Sequence, residues 1–186
     1  MARAVVITGP SGVGKGTLIR SLRERMPQLQ LSISATTRMP RPGETQGVDY
    51  RFMSDAQFER HVLAGDFVEH AHYAGARYGT LRAELETRMA SGRPVLLEIE
   101  LQGARQVRET MPEAVQVFIA PPTLDALRAR LVGRGADEPD QVEARLRTAE
   151  REIAAQGEFA HIVVNDRLED AVDELVSIVD GATAAQ

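Results

Sequence analysis

Of the 22 basic residues in this 186-residue chain, 21 are arginine and one, Lys15, is lysine. It lies inside the run Gly9-Pro10-Ser11-Gly12-Val13-Gly14-Lys15-Gly16-Thr17. A lysine is a compact point charge and an arginine a planar five-donor fork, so the two are not interchangeable. Such a loop suits phosphate: its backbone N–H groups point inward at an anion, the next helix adds the positive end of its dipole, and the lysine reaches the outer phosphates. The plainer reading is a glycine turn with an incidental lysine; it leaves the loop, lysine and flanking elements as coincidence. Directly after Lys15, where the phosphate-loop pattern carries Ser or Thr to hold Mg²⁺, stands Gly16, with Thr17 one residue late.

A second group is Ser34-Ala35-Thr36-Thr37-Arg38-Met39-Pro40-Arg41-Pro42-Gly43-Glu44, followed by Gly47-Val48-Asp49-Tyr50-Arg51-Phe52. Arg38 and Arg41, three apart and braced by prolines, can present two guanidinium forks to one phosphate, and a tyrosine hydroxyl can add a donor. This describes a second anion site; the alternative is a solvated arginine turn. Glu98 and Glu100 lie two apart on one face of a strand, near the carboxyl end where open parallel sheets place their ligands. Either could instead pair with a nearby arginine. His70 and His72 alternate on a strand without an evident third metal ligand and read as a surface pair. Asp137, Glu138 and Asp140 read as a solvated turn.

These side chains need a scaffold that holds them. Continuous apolar runs at Ala4–Thr8, Pro94–Glu100, Ala114–Ala120 and His161–Asn165 predict buried parallel strands. Helical spacing predicts helices over 17–26, about 80–91, 102–111, 123–133, 140–156 and 168–180. Alternating strands and helices imply an α/β fold with a parallel sheet covered on both faces. Two segments break the rhythm. Residues 33–82 hold six of the eight aromatics and a capping box, Ser54-Asp55-Ala56-Gln57, opening a short helix that ends at Gly65; they predict an inserted subdomain of strands and one helix. The polar turn from Arg134 to Asp140, between arginine-bearing helices, predicts the tip of a lid. The tail from Gly181 is expected to fray.

At 43% hydrophobic content the chain can bury one core and carry a small appended subdomain. A formal net charge of −5 argues against a duplex nucleic-acid partner. The absence of cysteine fits a reducing compartment and excludes disulfides, thiolate metal sites and a cysteine nucleophile. The apolar run at the start is too short for a signal peptide and no stretch approaches a membrane span, so a cytoplasmic protein without a membrane partner is the expectation.

The chain closely resembles the guanylate kinase family. The likeness runs nearly end to end: the glycine loop, Ser34 to Glu44, Gly47-Val48-Asp49-Tyr50, Glu69, Tyr78-Gly79-Thr80, Glu98 to Ala104, Arg134-Gly135 and Val164-Asn165-Asp166. It implies a P-loop three-layer core (1–32, 83–123 and 158–186), a GMP-binding subdomain (33–82) and a helical lid (124–157). It implies ATP and Mg²⁺ as donor and metal, GMP as acceptor, and GDP as product. Gly9 to Thr17 would cradle ATP, joined by Arg130, Arg134 and Asn165, although Asn165 also fits a plain strand-end cap. Arg38, Arg41, Tyr50 and Tyr78 resemble the clamp on the GMP phosphate. Ser34, Glu69, Thr80 and Glu100 resemble the groups that read guanine; without the family likeness Glu69 would read as a charge on an exposed strand edge. Lys15, Arg38, Arg134 and Arg145 would act on the migrating group. Mg²⁺ would be held mainly by phosphates and water, with Thr17 and Glu98 as candidate contacts. Two alternatives remain in view: a non-catalytic interaction module of the same fold, and a kinase for another small substrate.

Overall fold

Val5, Val6 and Ile7 are wholly buried, as a strand must be when helices cover both faces of its sheet. The computed structural model describes residues 3–73, 75–133 and 139–184. In chain order its elements are β1 (Ala4–Thr8), α1 (Lys15–Arg25), β2 (Gln30–Leu31), β3 (Ala35–Thr36), β4 (Arg51–Phe52), α2 (Asp55–Ala64), β5 (Phe67–Tyr73), β6 (Ala76–Leu81), α3 (Arg82–Met89), β7 (Val95–Glu98), α4 (Leu101–Thr110), β8 (Val115–Ala120), α5 (Leu124–Val132), α6 (Pro139–Ala154), a 3₁₀ turn at Gln156–Glu158, β9 (His161–Val164) and α7 (Leu168–Ala184).

Five strands form a parallel sheet in the order β2-β7-β1-β8-β9, with Val6 opposite Leu97 on one side and Gln116 on the other. One face packs Ile7, Leu96, Val117, Ile119 and Val163 against α1, α5 and α7 through Leu18, Leu22, Leu127, Leu131, Leu175 and Val179. The other packs Val6, Leu97 and Phe118 against Leu85, Ala104, Val107 and Phe159. The result is the layered α/β core expected from the apolar runs. The glycine loop leaves the carboxyl end of the central strand, β1, where ligands bind in sheets of this kind.

Residues 35–81 build a second sheet, ordered β4-β3-β6-β5, in which β3 and β4 run parallel and the other pairs antiparallel. Its own small core is Ala35, Phe58 and Phe67, with the two phenylalanine rings stacked 4.5 Å apart. Helix α2 begins with the predicted capping box: Ser54 Oγ accepts the Gln57 N–H and Gln57 Oε1 accepts the Ser54 N–H.

Several boundaries differ from the sequence expectation. Strand β7 ends at Glu98, and Glu100 is the N-cap residue of α4, its carbonyl already accepting the Ala104 N–H at 3.0 Å. The chain enters α4 at Leu101, so the strand stops before residue 100. Residues 80 and 81 end β6 instead of starting α3, because Thr80 pairs with Glu69 across the second sheet. Helix α1 starts at Lys15, two residues early. Helix α7 runs through Ala184 where fraying was expected; Ala182 is buried against the protein and holds the last turn. The short strand β2 was not foreseen. The predicted lid tip at Arg134 to Glu138 lies outside the described residues.

Candidate active site

Gly14 carries α1 on its N-cap with φ +102°, a left-handed conformation that glycine adopts without strain. A Cβ there would also meet Asn165 Nδ2 at 2.6 Å. Asn165, nearly buried at the end of β9, donates to Val13 O at 2.8 Å, and Arg130 of α5 bonds both Val13 O (3.0 Å) and Asn165 O (2.8 Å). Two of the residues assigned to the donor nucleotide therefore tie the back of the loop to the sheet. Lys15 Nζ donates to Gly9 O at 2.5 Å and Pro10 O at 3.3 Å, holding its charge across the loop. The first-turn N–H groups of α1, at Lys15 and Gly16, have no acceptor within the helix and are free to meet an anion.

From α6, Arg145 reaches down to the loop and donates to Ser11 Oγ at 2.7 Å. Two turns along the same helix face, Glu152 points at the same place. Burial and the neighbouring Glu100 push its carboxyl up to about 7, opposed by Lys15 and the Ser11 N–H, and its Oε2 is buried without a hydrogen-bond partner. Glu98 reaches solvent but is crowded by protein, which raises its carboxyl; Lys15 works against that shift and Glu100 adds to it. Lys15, Glu98, Glu100 and Glu152 thus feel one another at the carboxyl edge of the sheet. Thr17 is exposed one residue beyond Gly16, where an added Cβ would meet nothing within 4 Å. The hard oxygen donors of Thr17 and Glu98 suit Mg²⁺. Among the described residues no cluster of three His, Cys, Asp or Glu side chains could hold a metal ion.

The second sheet presents the other half. A cleft of about 720 Å³ is lined by Ser34, Glu44, Tyr50 and Glu98, among others. Arg38 does not line this cleft but lies behind Tyr50, 5.1 Å from the centre of its ring, with Tyr78 6.2 Å from Tyr50 centre to centre. One end of the Arg38 fork is already engaged. Glu44 takes it bidentately, with Nη1 to Oε2 at 2.9 Å and Nη2 to Oε1 at 2.8 Å, and also accepts the Arg41 N–H at 2.7 Å. These bonds hold the Glu44 carboxyl down at about 2. The Arg41 side chain is exposed. A cleft of similar size, about 680 Å³, lies on another side, against α3 and His61, and holds none of the candidate residues.

Glu69, on edge strand β5, is only 4% exposed. Thr80 on the neighbouring strand donates its hydroxyl to Oε1 at 2.7 Å, while desolvation pushes the carboxyl up to about 7. It fits because Gly103 of α4 has no side chain: a Cβ there would meet Glu69 Oε2 at 2.5 Å. Helix α4 also closes the open edge of β5. Gln106 accepts the His70 N–H and donates to the His70 carbonyl, at 3.0 and 2.8 Å, and Thr110 donates to Val68 O at 2.9 Å. The result is a buried carboxyl, flanked by a hydroxyl and braced from behind, whose oxygens can accept hydrogen bonds.

A family model described as guanylate kinase matches residues 1–182. The chain belongs to the guanylate kinase family. It is 53% identical over 177 residues to the guanylate kinase of Frankia casuarinae, covering 95% of this chain and 96% of that one. The guanylate kinase of Mycobacterium tuberculosis is 51% identical over 183 residues, 97% of this chain and 88% of its own. The crystal structure of guanylate kinase from Anaplasma phagocytophilum superposes with a TM-score of 0.75 at 32% identity, covering 98% of this chain and 86% of that one.

For a guanylate kinase, the sequence reading passed over three groups. Glu44 stood in the quoted motif with no role, though a glutamate six residues after Arg38 and three after Arg41 was a visible signal. Glu152 lies seven residues after Arg145, two helical turns along one face, a spacing visible in the sequence. Gln106 and Thr110 left no local trace, because their partners are on a strand some 40 residues away.

Proposed function

We propose that this chain transfers the γ-phosphoryl group of ATP to GMP, and to dGMP, giving GDP or dGDP and ADP in purine nucleotide metabolism. The observation that carries the choice of base is the Glu69 carboxyl, buried beside the Thr80 hydroxyl. Guanine offers two adjacent donors, N1–H and the exocyclic amine, which one carboxylate can accept together, while the Ser34 hydroxyl can donate to O6. Adenine lacks that pair and would leave a buried carboxylate unanswered, a mismatch worth roughly 10⁴ or more in discrimination. Glu100 would complete the base contacts.

The acceptor phosphate is already an anion, so the reaction asks for alignment and charge neutralisation and no general base. Gly9 to Thr17 would cradle the ATP phosphates, with Lys15 as point charge and Arg130 and Asn165 bracing the loop. Arg38, Arg41, Tyr50 and Tyr78 would hold the GMP phosphate, and Arg145 with Arg134 would cover the migrating group. Mg²⁺, bound to the ATP phosphates and faced by Thr17 and Glu98, would neutralise charge on the donor. In this reading residues 1–32, 83–123 and 158–186 are the core, 33–82 the GMP-binding subdomain and 124–157 the lid, whose closure keeps water from the phosphoryl group. No helix of the described residues is long and apolar enough to cross a membrane; with a cysteine-free chain and nucleotide substrates, the cytoplasm is the compartment that fits.

The deciding experiment is a coupled ADP-release assay with ATP, Mg²⁺ and, in turn, GMP, dGMP, AMP, CMP and UMP. Turnover with the guanine nucleotides alone is expected. Equal turnover with AMP would remove Glu69 from base recognition, and no turnover with any of the five would remove the activity.

A further inference from the structure

A guanidinium carries five N–H donors, and those of Arg38 are unevenly used. Nη1 gives one to Glu44 Oε2 at 2.9 Å and one to Met39 O at 2.8 Å, and Nη2 gives one to Glu44 Oε1 at 2.8 Å. Neither Glu44 nor Met39 takes the Nε–H or the second Nη2–H, both on one edge of the plane; the Tyr78 hydroxyl also faces the guanidinium, and such an edge takes a phosphate bidentately. Glu44 accordingly grips the far end of the fork and leaves the edge that an anion needs. It also binds the loop to itself, because Oε2 accepts the Arg41 N–H at 2.7 Å and the Glu44 N–H donates to Arg41 O at 3.1 Å. Arg38 also lies against the rings of Tyr50 and Phe52, whose centres are 5.1 and 5.7 Å from its central carbon.

We propose that Glu44 is a positioning residue for the acceptor phosphate: by holding the end of the Arg38 fork and the backbone of Arg41, it presents to GMP an Arg38 side chain fixed beforehand on an anchored loop. This rests on the reading of the site as a GMP phosphotransferase. Ordering a long arginine costs free energy that binding must otherwise supply, and a side chain fixed beforehand removes that cost from the encounter. The opposite role has an opposite signature. A carboxylate beside a phosphate is a like charge, and if Glu44 merely occupied the anion's seat, its removal would tighten GMP binding.

Steady-state kinetics on the full chain separates the two. Glu44→Ala is expected to raise KM for GMP by roughly 10- to 100-fold, with kcat and KM for ATP changed by less than about threefold. Glu44→Gln, which keeps the shape and one acceptor, should fall between it and wild type. In an Arg38→Lys background, where no bidentate grip exists, Glu44→Ala should add little, so the two changes are strongly non-additive. KM for GMP that is unchanged or lowered, or two changes that simply multiply, overturns the proposal. Should Glu44→Ala fail to fold by circular dichroism, the isosteric Glu44→Gln decides by the same criteria. Wild-type protein without GMP turnover overturns the functional reading and this proposal together; active wild type with unaffected Glu44 variants overturns the proposal alone.

Discussion

Lys15 and Gly16 are neighbours with opposite tolerances. The Lys15 ammonium is held across its own loop by the carbonyls of Gly9 and Pro10, a seat shaped for a compact charge. Lys15→Arg keeps the charge and loses the fit, since a planar fork cannot point all its donors at one small concavity. The expected result is a fall in kcat on the order of 10² or more, with circular dichroism and GMP affinity by titration unchanged; turnover near wild type would remove Lys15 from the transfer step. Gly16 has no comparable requirement. It lies in the first turn of α1, its φ is not in the left-handed region, and a Cβ would touch nothing within 4 Å. Gly16→Ala should therefore stabilise the protein by about 0.5–1 kcal/mol, by restricting the unfolded chain and improving the helix. Urea denaturation checks this, and a lower midpoint would mean that the loop uses the flexibility of glycine at that position.

At the scale of elements, α4 closes the edge of β5 that carries Glu69. Gln106 answers both backbone groups of His70, one residue beyond Glu69, and Gly103 leaves room for the Glu69 carboxyl itself. Gln106→Ala frees that strand edge, and we expect a loss of about 1–2 kcal/mol in stability together with a several-fold rise in KM for GMP and little change in KM for ATP. Equal effects on both substrates would mean that α4 supports the whole molecule without aiming Glu69. The same region marks what sequence could and could not disclose. Strands β1, β7 and β8 were legible because a strand covered on both faces has no polar alternation, β9 because it is an apolar run even though Ile162 and Val164 stay exposed at the sheet edge, and α2 because its capping box is local. Strand β2 was hidden, being two residues long and recognisable only by its pairing with β7. The Arg38–Glu44 grip and the orphaned oxygen of Glu152 were hidden for another reason. Both residues were visible as charges, but which charge meets which partner depends on a loop closing on itself and on α6 packing over the phosphate loop.

For the whole molecule, the consequence of burying Glu69 is a dependence of stability and of ligand binding on pH. In the unfolded chain this carboxyl titrates at its ordinary 4.5, whereas in the fold desolvation pushes it up to about 7. Between those values the folded state binds the extra proton. Its contribution to stability is therefore fully present below about pH 4.5 and is lost as pH rises through 7, a span on the order of 3 kcal/mol. In the proposed reading guanine would act the other way, because its two donors would stabilise the ionised carboxylate. GMP binding should expel a proton below pH 7, and affinity should climb with pH up to about 7 and then level off. The GMP phosphate itself titrates near pH 6, and Glu152 also sits at about 7, so the informative quantity is the difference between wild type and Glu69→Gln. Calorimetric titration with GMP at pH 6, in two buffers of different ionisation enthalpy, should show more proton release from wild type than from the variant. Thermal midpoints from pH 5 to 8 should fall more steeply for wild type. If the two proteins release the same number of protons and their stability profiles run parallel, Glu69 is already ionised in the free fold and its burial is compensated by hydrogen bonding.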